Sequence, residues 1–123
     1  MMLALALLAA VPSDLMAKAD RANEAYVQCM FAVSRNASQA RLSAAEFEAR
    51  LTRSCLAEQR VTREIGIRIF TLRGNRDPAG TADGLIRQTR EQLIAQYRKA
   101  PEIERSLEQL AEICRTRPKA CAD

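Results

Sequence analysis

The sequence predicts an all-α protein: an irregular four-helix bundle built on a disulfide-stapled helical hairpin and preceded by a signal-like apolar segment. Two observations point to helices. Apolar residues recur at three- and four-residue steps through most of the chain. The composition is aliphatic and rich in Ala, Arg and Glu, with no Trp, five aromatic residues and few Gly and Pro. A third observation points to the staple. Cys29 and Cys55 lie about equally far on either side of a short polar break, so in an antiparallel helix pair they fall opposite each other. With 123 residues the chain has the length of one domain.

Met1 to Val11 is an unbroken apolar run, MMLALALLAAV, followed by Pro12, Ser13 and Asp14. It is too short to span a bilayer, which takes about 20 helical residues, and it has the length of a signal-peptide apolar region. Small residues at Ala17-Lys18-Ala19 offer a cleavage site, which sets the expected signal peptide at 1–19 and a single α-helical domain at 20–123. Cuts near Ala10 or Ser13 are alternatives. No Lys or Arg precedes Lys18, so the usual basic start of a signal peptide is missing. The competing interpretation is that the run forms the apolar first turns of a core helix.

From about Asp20 the first expected helix places Ala22, Tyr26, Cys29, Met30 and Val33 on one face, with Val27 and Phe31 on a flank. Asn36 to Ser43 breaks the pattern; Asn36-Ala37-Ser38 also matches the glycosylation sequon, a three-residue match frequent by chance. Ser43 followed by Glu46, just before Phe47, is a capping box. It opens a long second helix with Phe47, Leu51, Cys55, Thr62, Ile65, Ile69 and Leu72 on its inner face. The stretch from Ile65 to Leu72 also has the β-branched alternation of a strand. No second strand-like segment exists to pair with it, so helix is the expectation. Gly74 to Gly84 reads as the one real loop. A third helix is expected from about Asp83, grouping Leu85, Ile86, Thr89, Leu93, Tyr97 and Ala100. Ala100-Pro101 marks a boundary, and a fourth helix then groups Ile103, Leu107, Leu110, Ala111 and Cys114 before Pro118 stops it.

Four cysteines allow three pairings. The hairpin favours Cys29–Cys55. That leaves Cys114–Cys121, where Arg115 to Ala120 is long enough to turn back and bring the Cα atoms within about 4.4–6.8 Å. Loop-closure entropy assigns roughly 3–4 kcal/mol to the first bridge and roughly 2–3 kcal/mol to the second. Other uses of the sulfurs fit less well. A structural zinc site wants close pairs such as Cys-x-x-Cys, a thioredoxin-like site needs that motif outright, and a catalytic Cys needs a base. The chain has neither the motif nor any His. No catalytic, cofactor-binding or metal-binding residue is therefore assigned. Four buried free thiols in a cytosolic protein is the alternative. An even cysteine count beside a signal-like N-terminus points instead to an oxidising compartment, a bacterial periplasm or the exterior.

The net charge is +4, with Arg supplying 16 of the 19 basic residues. These are scattered singly among Glu and Asp, with no run of five like charges, which describes a solvated, mildly basic surface better than a nucleic-acid footprint. Glu58 interrupts the inner face of the second helix, a position that suits an edge residue or an Arg pair better than a catalyst. The loop from Gly74 to Gly80 has no Walker Lys and follows no strand; Arg76, Asp77 and Asp83 are its residues to locate. The expected function is that of an exported, non-catalytic envelope protein that binds a protein partner through an apolar patch, with Phe31 and Phe70 as anchors. It would meet a membrane only in transit, through the signal segment. The alternatives are a cytosolic binder of nucleic acid or another acidic partner, and a carboxylate-dependent enzyme centred on Glu58.

Overall fold

A computed structural model describes residues 11–122 of the chain. Among these residues the protein is all-helical: α1 (Ser13–Gln39), α2 (Ala44–Arg53), α3 (Leu56–Leu72) and α4 (Pro78–Thr116), closed by a 3₁₀ turn (Pro118–Ala120). Residues 1–10 of the signal-like run lie outside the described residues, as do the side chains of Glu102 and Ile103.

Helix α1 begins at Ser13 rather than near Asp20. The carbonyl of Pro12 accepts from the amides of Leu15 and Met16, and Leu15 is buried. The helix ends in a Schellman arrangement: Leu42 N–H donates to Ala37 O and Arg41 N–H to Ser38 O, with Arg41 at φ 54° in the position usually given to Gly. The turn aims the chain back along α1. The capping box then opens α2, with Glu46 N–H donating to Ser43 Oγ at 3.1 Å and the Ser43 hydroxyl donating to the Glu46 carboxylate at 3.0 Å.

The expected long second helix is two. Ser54 is extended, and Cys55 has φ 61° and ψ 26°, the left-handed region, before α3 resumes. Such a conformation costs an L-residue about 1–2 kcal/mol, and here the bond to Cys29 holds it. Cys29 and Cys55 are joined, with Cα atoms 5.9 Å apart. The staple thus pins the middle of α1 to the elbow between α2 and α3. The stretch from Ile65 to Leu72 is helical, and a Cβ added at Gly66 would lie 3.5 Å from Ala82 Cβ, so α3 and α4 meet there at close range.

The expected loop is much shorter than Gly74 to Gly84. Gly74, at φ 76°, ends α3, and Asp77 caps α4 by accepting Gly80 N–H at 3.1 Å, with Pro78 as the first helical residue. The expected third and fourth helices are one rod of 39 residues, about 58 Å long. Pro101 lies inside it without ending it. A proline forfeits one helical hydrogen bond, and this one sits exposed where α4 leaves the body, so the boundary in the sequence is a boundary in packing.

The core joins Tyr26, Met30 and Ala37 of α1, Phe47 and Leu51 of α2, Cys55, and Ile86, Leu93 and Ile94 of α4. Phe47 stacks on Tyr97 with ring centroids 4.2 Å apart, and Tyr97 Oη donates to Leu42 O at 2.5 Å. Thr62 donates to Ala22 O at 3.2 Å, and Arg90 Nη2 to Thr52 Oγ1 at 2.9 Å. These pairings run α2 and α3 antiparallel to both α1 and α4. Helix α3 packs closely on each of them, while α1 and α4 approach one another less closely.

Candidate functional site

At the staple, a Glu58 carboxylate oxygen lies within 4.8 Å of the sulfurs of Cys29 and Cys55. Both sulfurs are committed to the disulfide, so the trio offers a divalent ion one ordinary ligand unless the bond is reduced. Among the described residues no other acid joins this group. Glu58 is half-buried in the first turn of α3, where its charge complements the exposed helix amides. Its interruption of the apolar face has that local cause. The second bridge, Cys114–Cys121, has Cα atoms 5.5 Å apart and folds the tail back onto the end of α4. All four cysteines are paired.

The loop residues are engaged in structure. Asp77 is the cap of α4, and Asp83 pairs with Arg63 at 2.7 Å, tying α3 to α4. The hydrogen bond from Arg63, helped by the charges of Arg63 and Arg87, lowers the Asp83 pKa, and the same pair raises that of Arg63. Arg76 is exposed.

Two small apolar clefts flank the contact between α1 and α4. One, of about 130 Å³, lies on the α3 side, lined by Tyr26, Thr62, Gly66, Phe70, Leu85 and Thr89 among others. Burial raises the pKa of Tyr26, and the nearby charge of Arg90 pulls it down. Arg90 Nε is buried without a hydrogen-bond partner. The other cleft, of about 100 Å³, is lined by Val27, Met30, Phe31, Thr89, Gln92, Leu93 and Gln96. Phe31 is 49% exposed, whereas Phe70 is half-buried in the wall of the first cleft. Neither cleft gathers paired carboxylates.

An uncovered apolar face runs along the arm. Beyond Pro101, α4 projects from the body, with Leu107 60%, Leu110 56% and Ile113 47% exposed. The face expected for a fourth bundle helix exists, but among the described residues no other helix covers it. Ile113, which the expected face omitted, widens it. Glu104, Glu108 and Glu112 form an exposed row beside it at four-residue spacing, and Arg115 pairs with Glu112 near the tip. At the arm's root is an open groove of about 540 Å³ bordered by Arg41, Leu42, Tyr97, Pro101 and Glu104. No described helix is long and apolar enough to cross a membrane. Comparison with protein-family models, curated proteins and solved structures finds no match for the chain.

Proposed function

We propose that the protein is exported to an oxidising compartment, a bacterial periplasm or the exterior, and acts there by binding protein through an apolar helical face rather than by catalysis. The observation that carries this reading is the arm, a helix presenting Leu107, Leu110 and Ile113 to solvent on a rod that leaves the body. Leucines at such helical spacing are the anchors of helix-in-groove recognition. Two disulfide-bonded cysteine pairs are compatible with an oxidising environment. Buried Leu15 belongs to α1, so signal cleavage before Ser13, near Ala10, keeps that helix whole, whereas cleavage after Ala19 removes its first turns. The alternatives draw less support. Exposed arginines such as Arg21, Arg50, Arg68 and Arg98 lie on all four helices, interleaved with acids, and Glu58 stands beside sulfurs rather than a second carboxylate.

The test is photo-cross-linking from position 110 in intact cells, with fractionation and intact-mass determination before and after reduction. The expected results are loss of an N-terminal segment, four oxidised cysteines and a discrete protein adduct. An uncleaved, reduced cytosolic chain overturns the compartment, and the lack of any adduct overturns the binding role.

A further inference from the structure

We infer that the partner of the arm is a second copy of this chain. Two copies exchange arms, each laying residues 101–116 antiparallel along the open cleft between α1 and α4 of the other. This deepens the reading above and rests on it.

The first support is register. From Ala82, alternating steps of four and three pass through Ile86, Leu93, Leu107 and Leu110 and end on Cys114. This is the heptad spacing of a helix-packing seam. In the body the seam is buried, at Ala82, Ile86 and Leu93; in the arm it lies open, at Leu107 and Leu110. The spacing runs on past Pro101, whereas the cover ends earlier, after Leu93, since the seam positions Gln96 and Ala100 are already exposed.

The second support is the shape of the body. Helices α1 and α4 run the same way, with α2 and α3 antiparallel between them on one side. On the other side the 100 Å³ cleft beside Phe31 stays open. One more antiparallel helix in that cleft completes a four-helix arrangement. A two-fold pair supplies it, because α4 of the other copy then runs antiparallel to both walls. Keeping the seam in register sets Leu110 level with Leu93 of the other copy and Leu107 level with Gln96, with the axis beside Pro101.

Charge agrees, and reciprocity enlarges the area. Residues 1–100 hold 15 basic and 10 acidic side chains, against 4 and 5 in residues 101–123. The arm's acidic row (Glu104, Glu108, Glu112) thus approaches a cleft whose surroundings include exposed Arg35 and Lys99, and the same register sets Glu104 level with Lys99. Three exposed apolar side chains fall short of the roughly 1,000 Å² that a stable interface buries. Reciprocal exchange doubles every contact and adds Phe31 and the cleft walls. An arm of about 16 residues is also marginal as a lone helix in water; docking stabilises it.

The experiment is sedimentation equilibrium of the purified, oxidised chain. Wild type is expected at twice the chain mass, and the double variant Leu107→Glu/Leu110→Glu at half that value with the helical signal of the body retained, since both positions are exposed in the single chain. Register is read from Gln96→Cys combined with Leu107→Cys. Within one copy these positions are about 16 Å apart on one rod, beyond the span of a disulfide, so a non-reducing band at twice the mass reports arm exchange. A monomeric wild type, a dimer indifferent to the double glutamate variant, or a dimer without the 96–107 bridge each overturns the inference. A monomer that still gives an adduct to a different protein at position 110 overturns it while leaving the broader reading standing. No adduct at all removes both.

Discussion

The two halves of α4 carry one pattern and meet opposite fates. Before Pro101, Ala82, Ile86, Leu93 and Ile94 are buried under α1, α2 and α3; after it, Leu107, Leu110 and Ile113 face solvent on the same rod. An amphipathic repeat specifies a helix and the face that wants cover, but not whether the cover comes from the same chain. The two disulfides repeat the contrast. Cys29–Cys55 spans 26 residues and locks a core elbow, whereas Cys114–Cys121 spans 7 and dresses an exposed tip.

The largest effect that tests this contrast is a core truncation. Phe47→Ala removes a fully buried ring stacked on Tyr97 and is expected to cost about 3–5 kcal/mol in chemical denaturation. Leu107→Ala, measured at low protein concentration, is expected to change the unfolding of the body by no more than about 0.5 kcal/mol. Comparable losses at the two sites would erase the distinction between body and arm.

Next come the bridges. Replacing Cys29 and Cys55 together by Ala is expected to lower stability by about 3–4 kcal/mol. The pair Cys29→Ala/Cys55→Gly should retain about 1 kcal/mol of that, because Gly accepts the left-handed backbone at position 55. Replacing Cys114 and Cys121 by Ala should leave the denaturation midpoint of the body in place and speed amide exchange in the last turns of α4 instead. A large shift in the body midpoint from the second pair would mean that the tip is coupled to the core. Ser43→Ala deletes the cap of α2 and should cost about 1 kcal/mol, read from the same denaturation curves.

Much of the body was legible because local chemistry and burial agree there. Tyr26, Met30, Phe47, Leu51 and Leu93 sit on the expected faces and are buried; Ser43 and Glu46 form the expected box; Cys29 is joined to Cys55. The elbow at Cys55 was not legible, since Leu51 and Cys55 keep a four-residue step and the face reads straight across the break. The start of α4 is masked in the sequence: Asp77-Pro78 is a cap followed by a first-turn proline, but Gly74, Gly80 and Gly84 around it have the pattern of a longer loop. Pro101 misled in the opposite sense. Its bias against helix at the preceding residue is a preference, and the good helix formers on both sides of an exposed site outweigh it. At the arm, the spacing of Leu107 and Leu110 was visible, but their exposure was not. Exposure depends on which helices are near, and nothing in a single amphipathic stretch encodes that.

The smallest expected effect is electrostatic and lies at the body end of α4. Arg63 and Asp83 join α3 to α4 across the short loop, with both side chains well exposed. Because the Arg63 hydrogen bond lowers the Asp83 pKa below its usual 3.8, the folded state binds that proton less readily than the unfolded chain does. The contribution is complete above the ordinary aspartate range and is lost as the pH falls through the lowered value. Thermal midpoints of wild type should therefore fall more steeply below about pH 4 than those of Asp83→Asn, the two curves converging in acid. Salt should narrow the gap at neutral pH, as for any solvent-facing pair. Superimposable acid limbs would show that the α3–α4 seam is held by Gly66 against Ala82 and the capped loop alone, and that charge, like the tip staple, only dresses the outside of the rod.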